Sequence, residues 1–301
     1  MRDIRTVPDP RNTRVLRLEI PEDVSNEFVA FCAERPGYNR HAIPAERTRI
    51  TAKLKKMLGA EAINFINKTL RDPDRGAISM KPFSGEVLNQ AVLSAWITGL
   101  GYLVGTPRCD EKNDNLAYFD ISSDDPINFN PDAVLPLHTD GTYYNGNTDW
   151  IICGKVFDTS TVGGESLLLH VNDWADYSRF SSDEWSSREF VFRGPSAQDP
   201  RKAKFGNRGD NGALSLPMFY SQDGKNCVRM AFQWVHPRND EEANRLCEIF
   251  DSLLDAQEDA SFALDVGEIY LLDNKTWLHG RARYGTHQPV ERRIIRSIGA
   301  Y

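Results

Sequence analysis

The sequence lacks long apolar runs and paired cysteines. No stretch of about 18 apolar residues occurs along the chain, so no segment is predicted to cross a membrane. Residues 1–10 are charged and do not contain the apolar core of a signal peptide. The five cysteines are scattered and none belongs to a Cys-x-x-Cys pair, which disfavours a disulfide scaffold or a thiolate zinc site. These absences together predict a protein of the reducing cytoplasm.

Positive charge is also scarce. Lys plus Arg total 36 against 43 for Asp plus Glu, so the formal net charge is −7. A surface that binds nucleic acid requires concentrated positive charge, whereas the basic residues here are dispersed. The sequence therefore predicts a small-molecule partner and no nucleic-acid partner, and it is compatible with a homo-oligomer.

The remaining composition, with 40% hydrophobic and 26% charged residues, is that of an ordinary globular protein. Residues 1–110 are predicted to be mostly helical, because apolar residues recur at helical spacing in Ala52–Leu58, Glu61–Leu70 and Glu86–Leu100. No Pro- or Ser-rich linker follows them. We therefore expect a single domain over residues 1–301, with the helical part packed on a β core.

From about Leu116, short β-rich runs replace the helical pattern and are separated by Asp, Asn, Gly and Pro. The predicted strands are Leu116–Ile121, Ala133–His138, Trp150–Phe157, Ser166–Val171, Glu189–Phe192, Asn226–Val235, Glu268–Leu272 and Arg292–Ile298. One helical pattern, Asp240–Leu254, interrupts them. Many short strands with turn signals between them indicate a β-sandwich or a closed barrel over residues 116–301. The predicted class is therefore mainly β with flanking helices.

The segment around His138 and Asp140 carries the most specific chemistry. On a β-strand, residues two apart point to the same face, so an imidazole and a carboxylate would project side by side before Gly141 lets the chain turn. A His-x-Asp tripeptide alone is more typical of a polar surface turn. His279, which follows the apolar run beginning at Leu271, supplies a second imidazole. Two histidines and one carboxylate form the facial triad of non-haem iron(II) oxygenases, which leaves open positions for a co-substrate and dioxygen.

Two arginines follow His279 on the last predicted strand. Arg292 and Arg296 are an even number of residues apart, so both side chains lie on one face and either could bind a carboxylate beside the metal. The alternative is that they are exposed residues of a sheet. The other histidines are assigned to loops, strand ends or structural roles: His41, His170, His236 and His287. His41 in particular lies in a polar segment and is expected to be solvated.

Three motifs resemble those of the Fe(II)/2-oxoglutarate-dependent dioxygenases, and most closely those of the CsiD, or glutarate 2-hydroxylase, family. They are His138-Thr-Asp-Gly-Thr-Tyr143, Gly163-Gly-Glu-Ser-Leu-Leu-Leu-His170 and Trp277-Leu-His-Gly-Arg-Ala-Arg283. The resemblance covers about residues 116–301, and the helical N-terminal part shows no match. It implies a double-stranded β-helix, or jelly-roll, core with Fe(II) bound by the three ligands named above. It also implies that 2-oxoglutarate and dioxygen are co-substrates.

The resemblance implies roles for several further residues. In this family an arginine of the last strand and a hydroxyl after the Gly-Gly turn hold the far carboxylate of 2-oxoglutarate, and the matching positions here are Arg292 or Arg296 and Ser166. The implied substrate is a small acid such as glutarate, or an amino acid, that is hydroxylated at an unactivated C–H bond with release of succinate and carbon dioxide. The candidate substrate contacts are Arg229, Gln233, Tyr143 and Tyr118.

The sequence also departs from the family. The family's last strand carries a further arginine where this sequence has Ile298, and residues 198–211 are polar and rich in glycine, as in a lid. Asp140 itself favours hydroxylation, since related halogenases have a small residue at that position. Two alternative functions remain open at this point. One is a cupin-type metal enzyme that does not use 2-oxoglutarate, and the other is a non-catalytic barrel that binds a ligand.

Overall fold

The computed structural model describes residues 4–34, 40–83, 88–110, 113–122, 134–144, 146, 148–194, 213–285 and 290–301. The α-helices in these residues are α1 (Glu22–Ala33), α2 (Pro44–Leu70), α3 (Gln90–Val104), α4 (Tyr177–Ser182) and α5 (Asp240–Asp255). The β-strands in them are β1 (Arg5–Asp9), β2 (Asn12–Glu19), β3 (Ala77–Met80), β4 (Thr106–Pro107), β5 (Ala117–Ser122), β6 (Leu135–His138), β7 (Trp150–Asp158), β8 (Ser166–His170), β9 (Glu189–Phe192), β10 (Leu214–Pro217), β11 (Phe219–Gln222), β12 (Lys225–Val228), β13 (Val235–His236), β14 (Ser261–Phe262), β15 (Ile269–Asp273), β16 (Trp277–Arg281) and β17 (Glu291–Ala300).

Local sequence signals set the helix ends. The side chains of Asn89 and Asn239 each accept a hydrogen bond from a backbone N–H three residues later, at 3.0 and 2.9 Å, and so cap α3 and α5. Three acidic residues in the first turn of α5 interact favourably with the helix dipole. Gly59 interrupts α2 with a φ of 77°, a left-handed conformation that glycine adopts without steric cost. This break explains why the sequence shows two separate helical patterns, Ala52–Leu58 and Glu61–Leu70.

The larger of the two main sheets has eight strands in the order β1-β2-β3-β15-β7-β17-β4, with β5 also paired to β17. Its strands pair antiparallel except for β2 and β3, which are parallel. Trp96 of α3 packs edge-on against Phe28 and Phe83, with ring centroids 4.9 and 5.2 Å apart. These buried rings belong to the same apolar cluster as Trp150 and Ile152 of β7. The cluster therefore joins the N-terminal helices to the larger sheet.

The second main sheet contains four strands in the order β14-β8-β16-β6. The pairing of β16 with β6 places His279 opposite His138, and the pairing of β16 with β8 places Arg281 opposite Ser166. Residues opposite each other on antiparallel strands have Cβ atoms about 4.5–5.5 Å apart. The register of this sheet therefore brings residues that are distant in sequence next to one another. The predicted class, mainly β with flanking helices, is confirmed.

The N-terminal part contains strands that the helical prediction for residues 1–110 missed. β1 and β2 form a hairpin, and β3, whose four residues are all buried, links this hairpin to β15. The buried residues of β2, Val15 and Leu18, are three apart. This spacing is not the period-two alternation by which a strand is identified in a sequence. The segment therefore contributes both helices and part of the larger sheet.

Residues 226–235 do not form one continuous strand, contrary to the prediction. β12 and β13 are separated by a turn in which the N–H of Trp234 donates to the C=O of Ala231 at 2.9 Å. Before this turn, the N–H of Met230 donates to the hydroxyl of Thr139 at 3.0 Å, and the C=O of Met230 accepts from the N–H of Thr139. Bonds to the segment after β6 thus replace the bonds of a strand ladder.

No helix in the described part of the chain is both long and apolar enough to pass through a lipid bilayer. The segment predicted to form a lid, residues 198–211, lies outside the described residues, as does His287.

Trp96→Ala is expected to lower the free energy of unfolding by about 3–5 kcal/mol, because a fully buried ring is removed from a packed cluster. Urea denaturation followed by circular dichroism measures this change. Val162→Ala is the control, since 66% of Val162 is exposed, and its effect is expected to stay within about 0.5 kcal/mol. Equal effects of the two substitutions would contradict the assignment of Trp96 to the core that joins helices and sheet.

Candidate metal centre

Three side chains that are far apart in sequence meet at the smaller sheet. Nε2 of His138 lies 3.9 Å from Oδ1 of Asp140, and Nε2 of His279 lies 3.6 Å from Oδ2 of the same carboxylate. Ligand atoms from the three residues all lie within 4.8 Å of one another. Metal–ligand bonds of about 2 Å to nitrogen and oxygen span these gaps around a single ion. The residues therefore fit a divalent metal ion in the two-His-one-carboxylate arrangement.

Both imidazoles are buried in the form that binds a metal. Burial lowers the pKa of His138, and burial together with the neighbouring His138 lowers the pKa of His279 to about 3. Both rings are therefore neutral near pH 7, as metal ligation requires. Nδ1 of His138 lies 2.8 Å from the C=O of Pro136, so Nδ1–H donates there and the lone pair of Nε2 faces the metal position.

Asn274, in the turn between β15 and β16, holds the main chain of Asp140 on two sides. Its Oδ1 accepts from the N–H of Asp140 at 2.8 Å, and its Nδ2 donates to the C=O groups of Asp140 and Thr148 at 3.0 and 2.9 Å. Two buried ion pairs flank Asn274 along the chain, Asp273–Lys225 at 2.7 Å and Lys275–Asp149 at 3.1 Å. The chain then continues into β16, which carries His279. One fixed turn therefore positions ligands from both segments.

Arg296 of β17 is the charged neighbour of the metal-binding carboxylate. Its Nη1 donates to both carboxylate oxygens of Asp140, at 2.7 and 2.8 Å. Burial alone would lower the pKa of Arg296, but Asp140 and, to a smaller extent, Tyr144, Cys153 and Tyr143 together offset it, so the pKa is raised. The guanidinium also lies 4.4 Å from the ring centroid of Phe119, within the range of a cation–π contact. A permanent positive charge is thus held beside the metal ligands.

Arg292 lies on the same face of β17 but contacts a different group. Its Nη2 donates to Oγ of Ser166 at 3.1 Å, and its Nη1 donates to the hydroxyl of Tyr284 at 3.3 Å and to the C=O of Gly164. Gly164 has a φ of 76°, and a Cβ there would overlap the ring of Tyr284. The Gly-Gly turn therefore allows the close approach that places a buried guanidinium beside a hydroxyl.

One cavity connects the metal ligands with both arginines. It is lined by Phe119, Ile121, Leu135, His138, Thr139, Asp140, Gly141, Tyr143, Tyr144, Cys153, Ser166, Ala231, Gln233, Trp234, Tyr270, His279, Gly280, Arg281, Arg292, Ile294, Arg296 and Ile298. Arg281, which had no predicted role, follows the metal ligand on β16 by two residues and shares its face, so the period-two rule could have identified it. Burial lowers the pKa of Arg281 to about 10.

The predicted substrate contacts do not all reach this cavity. Tyr143 and Gln233 line it. Arg229 instead lines a neighbouring cavity, where its Nη1 donates to the C=O of Pro217 at 2.9 Å and its guanidinium lies 5.0 Å from the ring centroid of Tyr220. The reason is that the chain leaves the strand after β12, so Arg229 does not follow the alternation that the predicted strand required.

Tyr118 is turned away from the cavity, contrary to the expectation. Phe119 and Ile121 line the cavity, so the alternation of β5 directs Tyr118 to the opposite face. There its hydroxyl bonds with Oγ of Ser94 at 3.2 Å and lies 3.0 Å from Nε2 of His41. His41 is consequently buried, and the expectation that it is solvated was wrong. Both residues belong to the contact between the helices and the larger sheet.

Two residues of the site carried no signal in the sequence. Asn274 resembles any polar turn residue, and only the fold shows that its amide contacts Asp140 across 134 positions of sequence. Trp234 lines the cavity because the turn after Ala231 redirects the chain, which the apolar pattern of the predicted strand concealed.

The fold is that of the non-haem iron oxygenases. The structure of an asparagine oxygenase in complex with Fe(II), hydroxyasparagine and succinate has a TM-score of 0.70 and 12% identity, and the similarity covers 94% of this chain and 93% of that one. The non-haem iron oxygenase OrfP in complex with Fe and alpha-ketoglutaric acid has a TM-score of 0.67 and 14% identity, with 94% and 92% covered.

The chain belongs to the CsiD family, whose sequence model matches residues 4–301. The glutarate 2-hydroxylase of Klebsiella pneumoniae (strain 342) is 26% identical over 299 residues, which is 98% of this chain and 89% of that protein. The resemblance drawn from the three motifs is thereby confirmed. The resemblance covers more of the chain than the three motifs indicated, because the family model also matches the N-terminal part.

Asn274→Ala is expected to weaken iron binding about 10–100-fold, the usual cost of removing a group that orients a metal ligand. Calorimetric titration with Fe(II) under argon measures the affinity, and thermal unfolding of the metal-free protein shows whether the fold persists. Asn226→Ala is the control, because Asn226 is exposed and its amide bonds only to the side chain of Asn172 at 3.1 Å among the described contacts. Unchanged iron affinity in Asn274→Ala would contradict this positioning role.

Proposed function

We propose that this protein is an Fe(II)- and 2-oxoglutarate-dependent oxygenase that hydroxylates an unactivated C–H bond of a small carboxylate-bearing metabolite. The observation that carries the proposal is the convergence of His138, Asp140 and His279 in a cavity that also contains Arg292 beside Ser166. Membership of the CsiD family supports it, as does the name of its relative, glutarate 2-hydroxylase. The OrfP structure, which contains Fe and alpha-ketoglutaric acid, supplies further support.

Arg292 and Ser166 are proposed to hold the distal carboxylate of 2-oxoglutarate. A guanidinium and a hydroxyl 3.1 Å apart offer several donors to one carboxylate, and charge-assisted bonds of this kind are about twice as strong as neutral ones. Arg281 stands opposite Ser166 in the sheet register and adds a second positive charge at the same end. The keto acid end of 2-oxoglutarate then faces the three metal ligands.

Bound iron supplies the oxidising chemistry that converts 2-oxoglutarate to succinate and carbon dioxide and hydroxylates the substrate. The protein holds the reactants in place and limits the access of water to the metal ligands. His138 and His279 are each 6% exposed, so bulk water is largely kept from the ligand set. Arg296, beside Asp140, is proposed to bind the carboxylate of the substrate and so to hold it next to the metal without contact to it.

The architecture of the cavity supports a double-stranded β-helix core. The lining residues that belong to strands come from β6, β8 and β16 of the smaller sheet and from β5, β7, β15 and β17 of the larger sheet. A cavity between two facing antiparallel sheets is the place where a jelly roll binds its ligand. We propose accordingly that residues 1–301 form one catalytic domain, with α1–α3 outside the larger sheet.

Neither alternative function accounts for all of these contacts. A cupin-type enzyme that does not use an oxo acid has no need for a buried arginine clamped between Ser166, Gly164 and Tyr284. A non-catalytic barrel has no need for two neutral imidazoles and a carboxylate that converge on one point.

The test of the proposed function is the release of succinate by protein supplied with Fe(II), ascorbate, dioxygen and a panel of small acids. We expect release only when 2-oxoglutarate is present. His279→Ala is expected to abolish both iron binding and turnover while circular dichroism shows an unchanged fold, because one of three ligands is lost. Turnover that is independent of 2-oxoglutarate, or full iron content in His279→Ala, would refute the proposal.

Arg292→Ala is expected to raise the KM for 2-oxoglutarate about 10–100-fold, equivalent to the roughly 1.5–3 kcal/mol of hydrogen bonds to a charged group. The KM for the substrate should change little. Arg293→Ala is the matched control, because Arg293 is the next residue of the same strand but points to the opposite face, where it pairs with Asp120 at 2.6 Å. Steady-state kinetics in which 2-oxoglutarate and the substrate are varied in turn measure both KM values. Equal effects of both substitutions on the KM for 2-oxoglutarate would contradict the binding of this co-substrate by Arg292.

A further inference from the structure

The inward face of β17 alternates between positive and apolar side chains. Arg292, Ile294, Arg296 and Ile298 all line the cavity, as residues two apart on one strand do. The two arginines are about 13 Å apart along the strand, at about 3.3 Å per residue. Ile294 separates them, and Ile298, which is fully buried, lies beyond Arg296. β17 therefore contributes two separate cationic positions to the cavity rather than one continuous positive surface.

The first cationic position is taken up by the co-substrate in the proposed function. Ser166 bonds to Arg292 and lies opposite Arg281 in the register of β8 and β16. The guanidinium of Arg281 also lies 4.8 Å from the ring centroid of Tyr284, whose hydroxyl accepts from Arg292. Both of these arginines therefore belong to the end of the cavity marked by Ser166. Arg296 is the cation that remains for the substrate.

Apart from Asp140 and the three arginines, the described lining of the cavity is uncharged. The uncharged lining includes Phe119, which contacts Arg296, together with Tyr143, Tyr144, Trp234, Ile298 and the neutral amide of Gln233. Burial raises the pKa of Tyr143, so its hydroxyl stays neutral. Such a surface favours an aliphatic or otherwise apolar group, with one amide available for a neutral polar atom.

Acidic groups for a positively charged substrate are lacking in the described lining. Asp140 is the single carboxylate among those residues, and it faces the two histidines and Arg296. Among the described lining residues, an ammonium group would meet three guanidinium groups and no carboxylate except Asp140. Burying a charge without a partner is strongly unfavourable.

We infer, building on the proposed function, that the substrate is a monocarboxylic acid with an uncharged and largely apolar body. Its carboxylate binds Arg296, and its body lies against Ile298 and the aromatic side chains. A dicarboxylate would place its second charge where the described lining offers no cation, and an amino acid would place its ammonium where the lining offers no anion. Arg296 thus binds the carboxylate. The apolar wall, formed by Ile298 and the aromatic side chains of the cavity, determines which acids bind.

The test compares acids of matched length on the wild-type protein loaded with Fe(II). Pentanoate, glutarate and norvaline share a chain length, and the corresponding sets one and two carbons shorter or longer complete the panel. Binding is measured by calorimetry without dioxygen, in the presence and in the absence of 2-oxoglutarate, and stimulated succinate release is measured separately. At the best chain length, we expect the monocarboxylate to bind about 100-fold more tightly than its two partners, the scale set by one unpaired buried charge.

The outcomes separate this inference from the function on which it rests. Failure of 2-oxoglutarate to bind the iron-loaded protein contradicts the proposed function, while the acid titrations still measure the preference. If 2-oxoglutarate binds but a dicarboxylate or an amino acid equals or exceeds the monocarboxylate at every length, the inference is overturned. Absence of binding by any monocarboxylate overturns it as well.

A pair of variants tests the role of the apolar wall. Ile298→Arg adds a cation beyond Arg296 and is expected to bring glutarate binding to within about ten-fold of pentanoate binding. Ile298→Met keeps the wall apolar and is expected to retain the wild-type preference. If Ile298→Arg does not fold, the comparison of acids on the wild-type protein decides. A folded Ile298→Arg that still rejects glutarate would show that the wall does not set the preference.

Discussion

The position of the Asp140 carboxylate is the constraint on which the site depends. Its main chain is held by the amide of Asn274, and its side chain is held by Arg296. Neither contact is local in sequence, since one comes from the turn between β15 and β16 and the other from β17. A carboxylate fixed at both ends pays little further entropy when it binds a metal. The packing of the two sheets brings both contacts to Asp140, which follows the end of β6.

The positive charges of β17 lie at separate positions in the cavity and contact different groups. Arg292 and Arg296 lie on one face of one strand, yet the first contacts a hydroxyl and the second a metal-binding carboxylate. On the face that lines the cavity, Ile294 lies between the two arginines and Ile298 lies beyond Arg296. In the proposed function, an anion in such a cavity is oriented as well as attracted, because its carboxylate meets a guanidinium at a fixed position. Orientation of this kind is what allows one of several similar C–H bonds to be placed beside the metal.

The sequence predicted what depends on local spacing and missed what depends on tertiary contacts. Arg292 and Arg296 share a face through the two-residue period of β17, and His279 was found at the end of an apolar run. His138 and Asp140 were found from their spacing, although Asp140 lies in the turn after β6 and not on the strand. Asn274 could not be predicted, because a polar turn residue gains its role only from a distant partner. The face of β5 was equally undetermined. An aromatic residue occupies each face of this strand, so its alternation does not show which of Tyr118 and Phe119 points inward.

The order of strands in the larger sheet has a consequence for synthesis of the chain. β15 separates β3 from β7, and β17 separates β7 from β5, so strands made late fill positions between strands made early. Until those late strands leave the ribosome, the early ones have unpaired edges and α1–α3 have no complete surface to cover. Such long-range pairing makes folding slow and exposes aggregation-prone edges to the cell. The larger sheet therefore stays incomplete until residues 269–300, which also contain His279, Arg292 and Arg296, pair with the earlier strands.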